Sequence, residues 1–266
     1  MLTIARRIAT LILWLAACSA GAQGFDWSVS PVGQTGFPVQ RANTFAIHDS
    51  AVVDADGNLL IAGWQYSVDP APPSEGIAGI FLGKYAAADG HEIWRLARPG
   101  STGVDAITAV VLGPSGDAFV VGTVHDANGD HMLVARVNPA TGDMVWQAGA
   151  LVSDGNPSAT FGIDIRLDAS GNVFALGTQR GNAVVAKIDG ATGDILAQAL
   201  PAFDHFNGSQ DPVAIRIDAG GNVLGVTFVD GGAASEVFKL SGTNAGRIWG
   251  RAWTYRIAVP GGPEIR

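Results

Sequence analysis

The chain of 266 residues is 47% hydrophobic and only 15% charged, and it holds 36 glycines; this is a globular, turn-rich composition that excludes both disorder and long surface helices. Its formal net charge of −8 repels phosphate backbones and anionic lipid heads, so no nucleic-acid partner is expected.

The first element is a leader. Arg6 and Arg7 precede an apolar stretch from Ile8 to Ala17 and then small residues, the layout of a secretory signal peptide, and the stretch is too short to span a bilayer. Two cleavage outcomes stand open. Leu15-Ala16-Ala17-Cys18 resembles a bacterial lipobox, which ends the leader at residue 17 and leaves Cys18 acylated, with Ser19 resembling the outer-membrane sorting pattern. Ala20-Gly21-Ala22 is an A-x-A site that ends the leader at residue 22. On either route the folded part has no thiol, which excludes disulfides, thiolate metal sites and cysteine catalysis. Loss of the leader takes the mature chain to a net charge of about −10. The expected address is the periplasm, the cell exterior or the outer membrane, with membrane contact only through a lipid on Cys18.

Residues 25–44 hold one strand-like run, "FDWSVS" from Phe25, and a linker. From 45 to 259 the chain repeats itself. "DADGNLLIAGWQ" from Asp54 returns as "GPSGDAFVVGTV" from Gly113, "DASGNVFALGTQ" from Asp168 and "DAGGNVLGVTFV" from Asp218. A second phrase follows each copy: "KYAAADGHEIW" from Lys84, "RVNPATGDMVW" from Arg136, "KIDGATGDILA" from Lys187 and "KLSGTNAGRIW" from Lys239. A period of roughly 50 to 60 residues is that of a propeller blade or a solenoid unit. Within the second unit, apolar alternation predicts strands over 107–112, 118–124, 132–138 and 144–148, separated by Gly-containing hairpin turns. No segment shows helical spacing.

Four strands per unit and four units predict an all-β chain, a β-propeller with four visible four-stranded antiparallel blades at about 45–98, 104–150, 160–200 and 212–255 and a tail at 260–266. A β-solenoid is the other reading, although its units are shorter. D-x-x-G-N before a glycine-bearing strand, then "VAR" or "VAK" and T-G-D-x-x-W, resembles the bacterial SBBP-type propeller repeat and, more distantly, PQQ-like repeats. Such propellers serve binding, scaffolding and catalysis alike. Two departures stand out: Ala197 replaces the Trp found at 94 and 146, and Trp249 follows Gly246 by three residues rather than four, a slip that turns a side chain to the opposite face unless a bulge absorbs it. Members of the family it resembles commonly have more than four blades, so three readings stand open: a small closed ring, a truncated relative, or a half that pairs with another copy; closure is open too, with "FDWSVS" from Phe25 able to pair with "AWTYRIAV" from Ala252.

Several residues invite a functional reading. Lys84, Arg136, Lys187 and Lys239 form either an anion-capturing ring or a repeated structural position, such as an inter-blade ion pair; repetition favours the second. Trp94, Trp146 and Trp249 suit packing between blades better than docking. Asp54, Asp56 and Asn58 have cation-like spacing, but their counterparts lose the middle carboxylate, which favours turn chemistry. In "HDANGDH", Asp126, Asn128 and Asp130 place oxygens at alternate positions suited to Ca2+, against a plain polar hairpin; His131 stands where an EF-hand needs glycine. No other cofactor is expected, since the five histidines lack zinc spacing and neither a G-x-S-x-G elbow nor a phosphate-cradling loop occurs.

In such a meander the short repeated hairpins gather at one end and the long unrepeated segments at the other. The latter carry Asp69, Glu75, His125, Asp126, Asp130, Asp154, Asp204, His205 and Asp211, an acidic face on a rigid scaffold where binding surfaces usually sit. The expected function is an exported, non-catalytic scaffold for a protein or carbohydrate ligand. The alternative is a propeller-type lyase or glycosidase working from carboxylates at the central funnel.

Overall fold

The computed structural model describes residues 50–66, 78–98, 105–126, 129–148, 160–179, 181–200, 210–229 and 234–254. Every regular element in them is a strand. Sheet one comprises Ala51–Val53 (β1), Leu59–Tyr66 (β2), Ala78–Tyr85 (β3) and Glu92–Arg98 (β4). Sheet two comprises Ala106–Leu112 (β5), Ala118–Asp126 (β6), Gly129–Val137 (β7) and Met144–Gln147 (β8). Sheet three comprises Thr160–Leu167 (β9), Val173–Gln179 (β10), Asn182–Ile188 (β11) and Ile195–Ala199 (β12). Sheet four comprises Gln210–Ile217 (β13), Val223–Val229 (β14), Ala234–Leu240 (β15) and Arg247–Thr254 (β16). Each sheet is an antiparallel meander in chain order. The first strands β5, β9 and β13 lie beside one another, so the sheets pack as successive blades of an all-β propeller. The strand-like run at Phe25 and the stretch with Cys18 that the sequence reads as a leader lie outside the described residues.

Three apolar layers hold the blades together, one at each junction between consecutive sheets. Leu60, Leu82 and Trp94 of sheet one meet Ile107, Val120 and Leu133 of sheet two. Phe119, Val121 and Val134 then meet Ile165, Val173 and Val184, and Phe174, Leu176 and Val185 meet Ile215, Val223 and Phe238. Strand alternation explains the arrangement: odd and even positions of a central strand face opposite neighbours, and both neighbours are apolar. None of the three clusters of described residues joins sheet four to sheet one.

Bulges near the axis draw the innermost strands together. β5, β9 and β13 each carry an extra residue against their partner strand. At Gly122 a Cβ would lie 2.0 Å from the Ala106 carbonyl oxygen, and at Gly177 it would lie 2.2 Å from that of Phe161. Those two positions therefore require glycine, because the bulged strand crowds its neighbour's backbone.

The structure corrects the expected slip at Trp249. The counterpart of Gly90, Gly142 and Gly193 is not Gly246 but Ala245, which adopts the positive φ of 57° and donates its N–H to the Ser241 carbonyl as those glycines do to Ala86, Asn138 and Asp189. Trp249 accordingly pairs with Lys239, just as Trp94 pairs with Lys84 and Trp146 with Arg136. Its register is intact.

Strand ends also differ from the sequence expectation in sheet two. β6 runs on to Asp126 and β7 begins at Gly129, with His125 opposite Asp130. His125, Asp126, Gly129, Asp130 and His131 are thus strand residues of the β6–β7 ladder rather than parts of a long loop.

Candidate functional site

The repeated polar residues meet at the tight-turn end. Asp54 Oδ1 accepts from the N–H groups of Asp56 and Asn58 at 2.9 and 2.8 Å, and its Oδ2 accepts from the Asn58 amide at 3.1 Å. The same carboxylate meets Lys84 Nζ at 2.9 Å. Asp168 and Asp218 cap their turns in the same way, and they pair with Lys187 at 3.9 Å and Lys239 at 2.7 Å. Sheet two moves the carboxylate. Gly113 stands in place of the first Asp, and Asp117, at the position of Asn58, takes over the pairing with Arg136 at 3.0 Å. These oxygens are occupied by turn amides and a cation, which is the Asx-turn use of aspartate.

The basic residues do not form an open ring. Their ion pairs lie within a blade rather than between blades; what crosses the junction is a hydrogen bond. Lys84 Nζ and Trp94 Nε1 both donate to the Pro139 carbonyl of sheet two, at 3.2 and 2.9 Å. Arg136 and Trp146 both donate to Gly190 of sheet three, at 3.4 and 3.2 Å. Lys187 donates alone to Gly242 of sheet four at 2.5 Å, because Ala197 stands where the Trp would be. The Trp rings lie on the receiving turns: a Cβ at Gly142 would come 2.6 Å from Trp94, and one at Gly193 would come 2.9 Å from Trp146. Trp94 and Trp146 are therefore packing residues, as their repetition suggests.

Burial pushes the Asp54 carboxyl up, but its bonds from Lys84 and Asn58 outweigh that and hold it at about 2, below the ordinary 3.8. A depressed acid stabilises the fold fully above its unfolded value and loses that contribution as pH falls through the folded one. Asp54→Asn should therefore cost on the order of 1 kcal/mol at neutral pH after solvent screening. The variant and the parent should converge between pH 4 and pH 2 in urea denaturation curves. A constant difference across that window would refute the role of the ionised carboxylate.

Asp69, Glu75, Asn128, Asp154, Asp204 and His205 lie outside the described residues, and of Asp126 only the backbone is described. Two of the expected residues come together: His125 Nδ1 and Asp130 Oδ1 are 2.6 Å apart across the β6–β7 ladder, with both side chains partly exposed at 28% and 29%. Beneath them is a residue that sequence reading missed. Asp105, which precedes β5 and is only 3% exposed, accepts the His125 N–H at 2.7 Å. Burial raises its pKa, opposed by the His125 amide. No signal marked Asp105, because its partner lies two strand lengths away and the position does not repeat. Among the described residues no group of three His, Cys, Asp or Glu side chains is placed to hold a metal ion. Chemically the pair offers a carboxylate–imidazole couple at the mouth of blade two, able to accept hydrogen bonds or a cation at its solvent side.

No protein-family model matches the chain, and no curated protein matches it in sequence. Among solved structures it is similar to the Dos1 propeller (TM-score 0.46, 11% identity, covering 77% of this chain and 51% of that one). It is similar also to Chaetomium thermophilum Sqt1 bound to the N-terminus of a ribosomal protein (TM-score 0.46, 13% identity, 77% and 58%). A third likeness is to an engineered GH43 glycoside hydrolase (TM-score 0.43, 12% identity, 82% and 44%). The chain spans about half the length of these structures.

Proposed function

We propose that the protein is an exported, non-catalytic β-propeller that acts in the cell envelope or outside the cell as a binding scaffold. Its unrepeated acidic end takes a basic protein segment or a carbohydrate. One observation carries the reading: the polar residues that recur with the blade are consumed in fixing turns and junctions at the tight-turn end. The His125–Asp130 pair belongs to no repeat and lies partly open to solvent at the other end. Rigid scaffolds commonly present recognition groups in this way. The loop acids Asp69, Glu75, Asp154 and Asp204 with His205 extend that face in this reading. The enzyme alternative has Asp105 to draw on, but that carboxylate is engaged with a backbone amide.

The test is binding by the triple variant Asp126→Asn, Asp130→Asn and Asp204→Asn, probed with an oligolysine peptide, a neutral oligosaccharide and Ca2+ in separate calorimetric titrations. The parent should bind at least one of these at low ionic strength, and the variant at least tenfold more weakly with an unchanged melting temperature. Ca2+ held by Asp126, Asn128 and Asp130 must displace His125 from Asp130, so it should also shift the His125 imidazole resonances. Equal binding by parent and variant, or none by the parent, would overturn the proposal.

A further inference from the structure

Each sheet has a front, the face turned towards the next sheet, and at three junctions that face is covered. The front of sheet four is not. Cross-strand pairing arranges it in three rows that run from the axis to the rim. Arg216, Ala214 and Asp211 head the rows on β13, and Trp249, Arg251 and Trp253 end them on β16. Between these columns Leu224, Val226 and Val237 are half-buried, whereas their counterparts Leu60, Ala62 and Leu82 in sheet one are buried against sheet two. Trp249 is 39% exposed where Trp94 is buried, and Phe228 and Trp253 are 41% and 53% exposed. Neither exposed indole N–H has an acceptor among the described residues.

The first sheet of another copy offers this face no seat, because Phe81 and Tyr85 on its rear are closed off from solvent and Gly90 is buried. The front can instead receive itself, since its free charges sit at opposite edges. Asp211 on the axial strand and Arg251 on the rim strand have no ion pair among the described residues. Three strand spacings, roughly 14 Å, keep them apart within one chain. Lys239 is neutralised by Asp218, and Arg216, though bonded to Asp164, keeps most of its side chain exposed. One edge is therefore open to a cation and the other to a carboxylate.

We propose that the protein forms a twofold dimer through the front of sheet four. The dimer axis runs along the strands between the two fronts, so each row lies on the same row of the other copy in reverse order. The rim column of one copy covers the axial column of the other. Arg251 comes over the partner's Ala214, beside the partner's Asp211, where the two charges can pair. Trp249 lies over the partner's Arg216, whose guanidinium suits the face of an indole. Val226 meets the partner's Val237 in an apolar seam. An isologous contact makes each of these twice, and burial of the exposed rings drives it. The other twofold arrangement inverts the rows and sets Arg251 against Arg251, a repulsion the first avoids. Of the residues expected at the acidic end this contact uses Asp211 alone, so it does not depend on what that end binds.

Sedimentation velocity of the purified mature chain tests the proposal. The parent should be a dimer. Arg251→Glu and Asp211→Arg should each weaken dimerisation about tenfold, and the double variant should regain most of the loss. Because the two residues do not meet within one chain, that recovery can arise only across the interface. Trp249→Ser should weaken the dimer about a hundredfold with an unchanged far-UV circular dichroism spectrum, and it keeps the test decisive if a charge variant folds poorly. Leu196→Ser, an equally exposed apolar position on sheet three, should leave the dimer intact. A monomeric parent would overturn the inference and leave the face to a partner other than a second copy. Dimers untouched by Trp249→Ser, or a double charge variant as weak as the single ones, would overturn it equally.

Discussion

Gly193→Ala is expected to cost about 2–4 kcal/mol when Trp146 is present and about 1 kcal/mol when Trp146 is already alanine. Two effects are superimposed. The first is conformational: Gly193 sits at φ 82°, where an L side chain is disfavoured by roughly 1 kcal/mol. The second is steric: the new Cβ would lie 2.9 Å from the Trp146 ring, and that ring is held by its Nε1 bond to Gly190 and by Phe119, 6.0 Å away. Trp146→Ala alone should cost about 3 kcal/mol, from lost burial and a cavity at the junction. The double variant should therefore be distinctly more stable than the sum of the two single costs implies. The chain has run the comparison itself, since Ala197 and Ala245 already stand together at the next junction. Urea denaturation of the parent, both single variants and the double variant gives the coupling directly. Additive costs would show that the ring does not press on the turn.

The largest single loss is expected at Asp164. Its side chain is fully buried, and it accepts N–H bonds from Ile165 in its own strand and Ile215 in the next blade, each at 2.8 Å. Arg166 Nη1 meets it at 2.8 Å and Arg216 Nη1 at 3.3 Å. Asp164→Ala strands the Ile215 amide and takes one buried carboxylate away from the half-buried Arg166, so about 3–5 kcal/mol is expected. Arg216→Ala should cost under about 1 kcal/mol, because that side chain is mostly exposed and its attraction is screened. The contrast matters more than either number. If the two variants were equally destabilised, the carboxylate would be acting through the surface charge rather than through the buried amides.

Much of the fold was legible in the sequence because hairpin chemistry is local. The D-x-x-G-N turns, the alternation of apolar residues and the 51- to 52-residue recurrence of the basic position all depend on neighbours in the chain. Glycine is a poor ruler in this chain. Gly246 looked like the turn residue of blade four, but Ala245 supplies the positive φ, so identity and conformation had parted. The two departures at Ala197 and Ala245 are one event seen from two blades, which only the packing of Trp94 and Trp146 on their glycines reveals. The role of the basic residues was half legible. Repetition pointed to structure, but the choice between a pair inside the blade and one across the junction depends on side-chain reach. Asp105 and Asp164 are silent, since each accepts a backbone amide from a different strand and neither position repeats.

Among the three junctions, one differs in its chemistry. Those after sheets one and two are fastened at the rim by an indole resting on bare backbone, whereas the one after sheet three lacks the indole and carries a dehydrated carboxylate close to the axis. Warming affects these fastenings unequally: the attraction between greasy surfaces levels off, while the penalty for withholding water from an ion shrinks. The third junction should thus lose ground to its neighbours in the cold and gain on them in the heat, so that the first place where the molecule comes apart depends on the thermometer.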